Sequence, residues 1–113
     1  MTPRDRRLLR DIVENADIAI GGTLGVDADI FDRTPALKYM TLYALQIVGE
    51  AASKLSVETK AKLSGIPWDE IVATRHIIAH GYDKVDPETI MAIAQDDLDP
   101  LIDAIRTLLR LEP

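Results

Sequence analysis

The chain of 113 residues has the length of one domain, contains no cysteine and carries a net charge of −6. The lack of thiols excludes disulfide bonds and thiolate zinc sites, and the negative charge argues against sequence-independent binding to nucleic acid, which needs many Lys and Arg contacts with phosphates. No apolar run is long enough to span a membrane, and acidic residues interrupt the stretch behind the basic N-terminus, so we expect a cytoplasmic protein with a single domain over residues 1–113.

The first predicted helix is amphipathic and ends at a pair of glycines. Its apolar residues recur at helical spacing: Leu9, Ile12, Val13, Ala16 and Ile20. Gly21-Gly22 is expected to stop the helix. A turn-rich linker through Asp32 should follow, with Phe31 inserted into the bundle.

The second helix has the clearest signals. Thr34 is predicted to be its N-cap, with Pro35 at the first helical position, where a missing N–H costs nothing. Its apolar stripe continues to Leu55. Tyr39 and Tyr43 lie off that stripe, so this helix is expected to meet neighbours on more than one side.

Three further helices are predicted in the second half of the chain. Ser56 should cap a short helix over Val57–Leu63. Pro67 should open a helix that Gly81 ends, and Asp86-Pro87 should start the last helix. Pro100 falls inside that helix and should kink or split it, with Asp99 as a new cap. The sequence therefore predicts an all-α, up-and-down bundle of four to five helices.

The side chains best suited to catalysis lie in one segment, Arg75 to Tyr82. It has the pattern R-x4-H-x-Y and contains both histidines of the chain, His76 and His80. A guanidinium binds phosphate oxygens bidentately, and an imidazole moves protons near neutral pH. Together they suit metal-free RNA cleavage, in which the ribose 2′-OH attacks phosphorus, His80 moves a proton and Arg75 stabilises the developing charge.

The spacing of Arg75 and His80 places them on different sides of a regular helix. On an ideal helix five steps of about 100° leave Arg75 and His80 roughly 140° apart around the axis. They could converge if the helix end at Gly81 frays, or if two copies of the helix end meet across a two-fold axis in a dimer.

Other interpretations of these residues remain open. Arg75 and His80 can be ordinary surface residues, and His76 with His80 forms H-x3-H, which could hold zinc with a third ligand from Glu50 or Asp83. Tyr82 can be a packing residue.

Gly49 inside the second helix indicates a close contact between helices. If that contact is with the motif helix, Glu50 could reach across it and orient His or Arg there. Trp68 is expected in the core or at an interface.

Four segments in order resemble the HepT-type branch of HEPN domains, from about Leu8 to Leu109. They are Ile47-Val48-Gly49-Glu50-Ala51-Ala52, then Ile66-Pro67-Trp68, then Arg75-x4-His80-Gly81-Tyr82, and finally Asp97-Leu98-Asp99-Pro100-Leu101. His76 stands where many members have Asn.

The resemblance implies an all-α HEPN bundle that forms a homodimer and cleaves RNA without a metal or another cofactor. It implies that Arg75 and His80 are the catalytic pair. From their positions beside the motif, and not from the resemblance, His76 and Glu50 are expected as supporting residues. The resemblance further implies the toxin of a toxin–antitoxin pair, whose MntA-like nucleotidyltransferase antitoxin transfers AMP to Tyr82. The alternative is a catalytically idle HEPN module that binds a nucleotidyltransferase or a nucleotide.

Overall fold

A computed structural model describes all 113 residues and contains seven α-helices and no strand. The helices are α1 (Pro3–Thr23), α2 (Ala28–Arg33), α3 (Pro35–Lys54), α4 (Val57–Lys62), α5 (Trp68–Gly81), α6 (Pro87–Ala92) and α7 (Leu98–Leu111). A 3₁₀ turn (Tyr82–Lys84) follows α5, and a π-helical segment (Ile93–Asp97) joins α6 to α7. The predicted all-α class is confirmed, and so is the division of the last helix close to Pro100.

Polar side chains cap several of these helices as the sequence predicts. The Ser56 hydroxyl accepts a hydrogen bond from the Thr59 amide at the start of α4, and Asp86 does the same for the Glu88 amide at the start of α6. Thr34 occupies the N-cap position of α3, but its hydroxyl donates to the Ile30 carbonyl and makes no cap bond. The predicted N-cap positions of Ser56, Asp86 and Thr34 are therefore confirmed, and only Thr34 makes no side-chain hydrogen bond to its helix.

The prediction that Gly21-Gly22 ends the first helix is wrong. The helix α1 continues to Thr23, and only Gly25 has a positive φ, of 72°. Gly22 is buried against α3, where a Cβ would lie 2.1 Å from the Thr41 hydroxyl oxygen. Its small size therefore serves the contact between α1 and α3, and the chain turns three residues later.

The linker after α1 is also more ordered than the sequence indicates, because it contains α2. The Asp27 carboxylate accepts from the Ile30 amide at 2.8 Å and caps this short helix. Phe31, on α2, is 1% exposed, so its predicted insertion into the bundle is confirmed. Burial of a side chain of this size contributes about 1.5–3 kcal/mol.

The break before α7 lies upstream of the predicted position. The sequence predicts Asp99 as the cap of a new helix, but α7 begins at Leu98, and no side chain caps it. Pro100 has no N–H to donate to the carbonyl of Asp96, and its ring would clash with that carbonyl in a regular helix. The wider π-helical turn of Ile93–Asp97 accommodates both effects.

Helix α3 is the centre of the bundle, since it packs against α1 on one side and α5 on another, while α7 packs against α1. A cluster of 23 buried side chains fills the space between these helices. The predicted contacts of this helix on more than one side are therefore confirmed. Trp68 belongs to the core, and its Nε1 donates to the Leu63 carbonyl at 3.2 Å.

A buried carboxylate ties the start of α1 to the start of α4. Asp5 is 2% exposed and accepts hydrogen bonds from the Ser56 and Thr59 hydroxyls and the Ser56 amide. Burial raises the pKa of Asp5, but these hydrogen bonds outweigh it, so the pKa lies below its ordinary value. Nothing in the local sequence indicates this contact, because its partners are more than fifty residues apart.

None of the seven helices combines the length with the apolar character needed to cross a membrane.

Candidate active site

Helix α5 carries Arg75, His76 and His80, and Tyr82 lies in the 3₁₀ turn that follows it. Two acids, Asp69 and Glu70, occupy its first turn, where the helix dipole favours negative charge. Pro67 lies at its N-cap, one position earlier than predicted. The whole motif is thus presented on one rigid element and its C-terminal extension.

Arg75 lies where α5 packs tightly against Gly49 of α3. A Cβ built on Gly49 would be 2.5 Å from the Arg75 Cβ and 3.1 Å from the Ile71 carbonyl oxygen, so the two backbones approach this closely only because residue 49 is glycine. The close helix contact predicted from Gly49 is therefore confirmed, and it holds the base of the Arg75 side chain against α3.

The guanidinium of Arg75 has no partner in the chain. Its Nε is buried without an acceptor, and none of the six ion pairs includes this residue. A buried donor without a partner costs about 1–3 kcal/mol. Its position is therefore suited to a group from outside the chain that brings oxygen acceptors.

His76 and His80 lie one turn apart on α5, and both are exposed. Their rings stack with centroids 5.9 Å apart and planes inclined by 13°. The helix remains regular through His80, and the departure from helical geometry begins at Gly81, with φ −161° and ψ 39°. Fraying at the helix end therefore does not turn His80 toward Arg75, and the two stay on different sides of α5.

Glu50 does not make the predicted contact with a histidine or arginine of α5. Its carboxylate pairs with Lys54 on the same helix at 3.3 Å, with both side chains about half exposed, and it does not satisfy the Nε of Arg75. An i, i+4 Glu–Lys pair is a favourable arrangement on a helix surface, and it competes with a reach across to α5.

No group of three or more His, Asp or Glu side chains is placed to hold a metal ion. His76 and His80 therefore have no third ligand from Glu50 or Asp83, which the zinc interpretation required.

Tyr82 borders an open groove between α3 and the end of α5, with a volume of about 750 Å³. The lining residues are mainly apolar or aromatic: Tyr39, Met40, Leu42, Tyr43, Gln46, Ile78, Ala79 and Tyr82. We call this the aromatic groove. Tyr82 is 55% exposed and Tyr43 is 67% exposed, so both rings are accessible at its edge.

The sequence allows Tyr39, Tyr43 and Trp68 either an exposed aromatic surface or the core, and the structure exposes the two tyrosines and buries Trp68. The sequence does not indicate that Tyr39 and Tyr43 lie beside the motif. The available signal was that both residues lie off the buried stripe of α3, but the packing angle between α3 and α5 cannot be read from one helix alone.

The protein is thus an all-α bundle in which α5 and the 3₁₀ turn after it carry an arginine without a partner in the chain, two exposed imidazoles and an accessible tyrosine. The family model described as ribonuclease HepT-like matches residues 9–108, and the chain belongs to this family. The resemblance identified from the four sequence segments is thereby confirmed.

Three relatives illustrate the match. The chain is 31% identical to a protein of Methanocaldococcus jannaschii named "Putative RNase", over 87% of this chain and 91% of that protein. It is 28% identical to a "Putative RNase" of Caldanaerobacter subterraneus, over 98% and 97% of the two chains. It is 26% identical to the "Probable ribonuclease HepT" of Thermococcus cleftensis, over 82% and 84%. No solved structure gives a significant match.

Proposed function

We propose that this protein is a ribonuclease, and more specifically a metal-independent endoribonuclease that uses Arg75 and His80 in a homodimer. Family membership and relatives named as RNases support the ribonuclease activity. The observation that carries the choice of residues is the Arg75 guanidinium, which has no partner in the chain although its Nε is buried. RNA supplies the missing acceptors as phosphate oxygens.

The chemistry divides between the two side chains. A 2′-oxygen forms a bond to the adjacent phosphorus while the bond from phosphorus to the 5′-oxygen breaks, which leaves a cyclic phosphate and a free 5′-hydroxyl. His80 moves the proton that this exchange requires, and Arg75 stabilises the charge that develops on the phosphoryl oxygens.

A dimer supplies the geometry that one chain lacks. Arg75 and His80 lie on different sides of a regular helix, roughly 140° apart, so a shared site within one subunit would require α5 to distort. Two copies of α5 related by a two-fold axis can place Arg75 of one subunit near His80 of the other. The aromatic groove beside the motif supplies an apolar surface for such an interface.

The test is cleavage of RNA by the purified protein in EDTA. Removing either group should lower the rate by at least about a hundredfold, so Arg75→Ala and His80→Ala should each abolish measurable cutting. Arg10→Ala is the matched control, because Arg10 is an exposed arginine on α1, outside the motif. Cleavage by both motif variants at the wild-type rate would rule out the assignment.

We also propose that Tyr82 is the acceptor of AMP from a partner nucleotidyltransferase, which would make this protein the toxin of a toxin–antitoxin pair. Tyr82 is accessible and lies two residues beyond His80. Its phenolic oxygen would attack the α-phosphorus of ATP and release pyrophosphate. The added phosphate would repel the RNA backbone at the place where RNA must dock.

Mass spectrometry of the Tyr82 peptide after co-expression with an MntA-like nucleotidyltransferase tests this modification. The wild-type peptide should gain the mass of an adenylate, and the modified protein should lose RNA cleavage. Tyr82→Phe is the control that should gain no mass and remain active. An unmodified Tyr82 in a stable complex would contradict the proposal.

The second candidate function is an idle module that binds a nucleotidyltransferase or a nucleotide. The net charge of −6 and the presence of His76 beside Arg75 favour it, because a negative surface opposes RNA and His76 stacks on His80. A complex that forms tightly while the unmodified protein leaves RNA intact would support this function over the nuclease.

A further inference from the structure

The two histidines of the chain form a pair on the exposed face of α5. His76 and His80 are four residues apart, so a regular helix separates them by about 40° around its axis and by one turn along it. Their rings lie nearly parallel, with centroids 5.9 Å apart and planes inclined by 13°. These two side chains therefore converge within one chain, and we call them the imidazole pair.

The ring nitrogens of the imidazole pair are not engaged by the rest of the chain. No side-chain hydrogen bond and no ion pair includes His76 or His80. Both side chains are exposed, and so are Ala73 and Ile77 on the same face, whereas another side of α5 packs against α3. The nitrogens are therefore available to a substrate that lies along this face.

Cleavage of RNA by its own 2′-oxygen requires two proton transfers. The 2′-hydroxyl loses a proton as its oxygen bonds to phosphorus, and the 5′-oxygen gains a proton as its bond to phosphorus breaks. In an in-line displacement these two oxygens lie on opposite sides of phosphorus. A base and an acid must each come within about 2.6–3.2 Å of one of them, so the two groups flank the phosphate. Rings with centroids 5.9 Å apart have room for a phosphate between the two oxygens that they serve.

We propose that His76 is a second catalytic residue and that the imidazole pair supplies both the base and the acid of one cleavage. This inference rests on the proposed ribonuclease function. One ring, neutral at the start, takes the proton of the 2′-hydroxyl, and the other, protonated at the start, gives a proton to the 5′-oxygen. The two rings end with their protonation states exchanged, and proton exchange with water restores them. Arg75 keeps its role at the phosphoryl oxygens.

A hydrogen bond from His76 to the substrate, without proton transfer, is the competing explanation. The change His76→Asn separates the two roles, because an amide keeps a donor and an acceptor but does not take up a proton near neutral pH. Loss of proton transfer should slow the reaction by about 10²–10⁴-fold. His76→Asn and His76→Ala should therefore be equally impaired.

The first experiment compares cleavage of RNA in EDTA by the wild type, by these two variants and by His80→Ala. All three variants should be slower by about 10²–10⁴-fold. Their midpoints of urea denaturation should match that of the wild type, because both histidines are exposed. Asp69→Asn is the matched control, since Asp69 is an exposed residue of α5 outside the pair, and it should leave the rate unchanged.

The second experiment identifies the acid by changing the leaving group. The same RNA is made with sulfur in place of the bridging 5′-oxygen at the cleavage site mapped with the wild type. A thiolate is a weaker base than an alkoxide and leaves without a proton. On this substrate the alanine variant that lacks the acid should recover to within about tenfold of the wild type, and the variant that lacks the base should remain impaired.

Recovery of one alanine variant and not the other would establish divided roles. Recovery of both variants, or of neither, would overturn the proposal. So would a His76→Asn protein that cuts ordinary RNA at the wild-type rate while His80→Ala is inactive, and in that case the ribonuclease assignment itself would stand. A wild-type protein that leaves RNA intact would instead overturn the ribonuclease function and this inference together.

Discussion

At the scale of single residues, the structure separates polar groups that stabilise the fold from polar groups that it leaves without partners. Asp5 is buried with three hydrogen bonds, whereas Arg75 has a buried Nε with no acceptor. The first arrangement is satisfied inside the chain and contributes to stability. The second has no acceptor within the chain, and the proposed role of Arg75 rests on an acceptor that RNA would supply.

Asp5 should make the stability of the protein depend on pH in the acid range. Its pKa is lowered in the folded state, so the folded state favours the ionised carboxylate. The resulting stability is present above the unfolded pKa of about 3.9 and is lost as the pH falls through the lower folded value. Asp5→Asn should lower the free energy of unfolding at pH 7 by about 1–3 kcal/mol.

Urea denaturation at pH 7 and at steps down to pH 2 would measure this effect. The wild type should lose stability over the acid range more steeply than Asp5→Asn, so that the two proteins become more alike at low pH. Asp103→Asn, at an exposed position, should follow the wild type. Parallel curves for the wild type and Asp5→Asn would contradict the lowered pKa.

At the scale of helices, two glycines act as contact residues. Gly22 lets α1 approach α3 at Thr41, and Gly49 lets α3 approach α5 at Arg75. Sequence reasoning identified the role of Gly49 because it stands inside a long helix, but assigned Gly22 to a helix end because Gly21 stands beside it. A pair of glycines near the end of an apolar pattern fits both interpretations until the packing partner is known.

Gly49→Ala should therefore destabilise the protein by about 1–3 kcal/mol, because the added Cβ would overlap the Arg75 Cβ and force α3 and α5 apart. Gly21→Ala is the matched control: a Cβ there meets nothing within 4 Å. That change should stabilise α1 by about 0.5–1 kcal/mol, as expected when alanine replaces glycine in a helix. Urea denaturation of both variants distinguishes the two roles, and equal effects would contradict the assignment of Gly49 as a contact residue.

At the scale of the whole molecule, the sequence predicts the bundle better than the site. Periodic apolar stripes and Pro or Ser caps determine the main helices, since each signal is local. The Asp5 contact and the packing of Gly22 against α3 depend on tertiary packing, which no window of sequence contains. The motif from Arg75 to Tyr82 can be recognised in the sequence, because its residues are adjacent. Whether its side chains share one site depends on how α5 packs against a second subunit, which the sequence does not contain.

If the proposed dimer forms through the aromatic groove, a charge placed in that groove should weaken it. The aromatic groove places Tyr39, Tyr43 and Tyr82 beside the motif, and an exposed apolar surface of this kind marks an interaction site. Tyr43→Asp should bury a charge in the interface and raise the dimer dissociation constant by at least about tenfold. RNA cleavage should fall in parallel, because Arg75 and His80 would no longer meet across the two-fold axis.

Val57→Asp is the matched control, since Val57 is 80% exposed but lies on α4, outside the groove. Sedimentation velocity and RNA cleavage, measured on the same samples over a range of concentrations, connect the two properties. Activity that tracks the dimer fraction would mean that one active site draws on two chains. A monomeric Tyr43→Asp protein with full activity would instead require Arg75 and His80 to converge within one subunit, and α5 would then have to bend during the reaction.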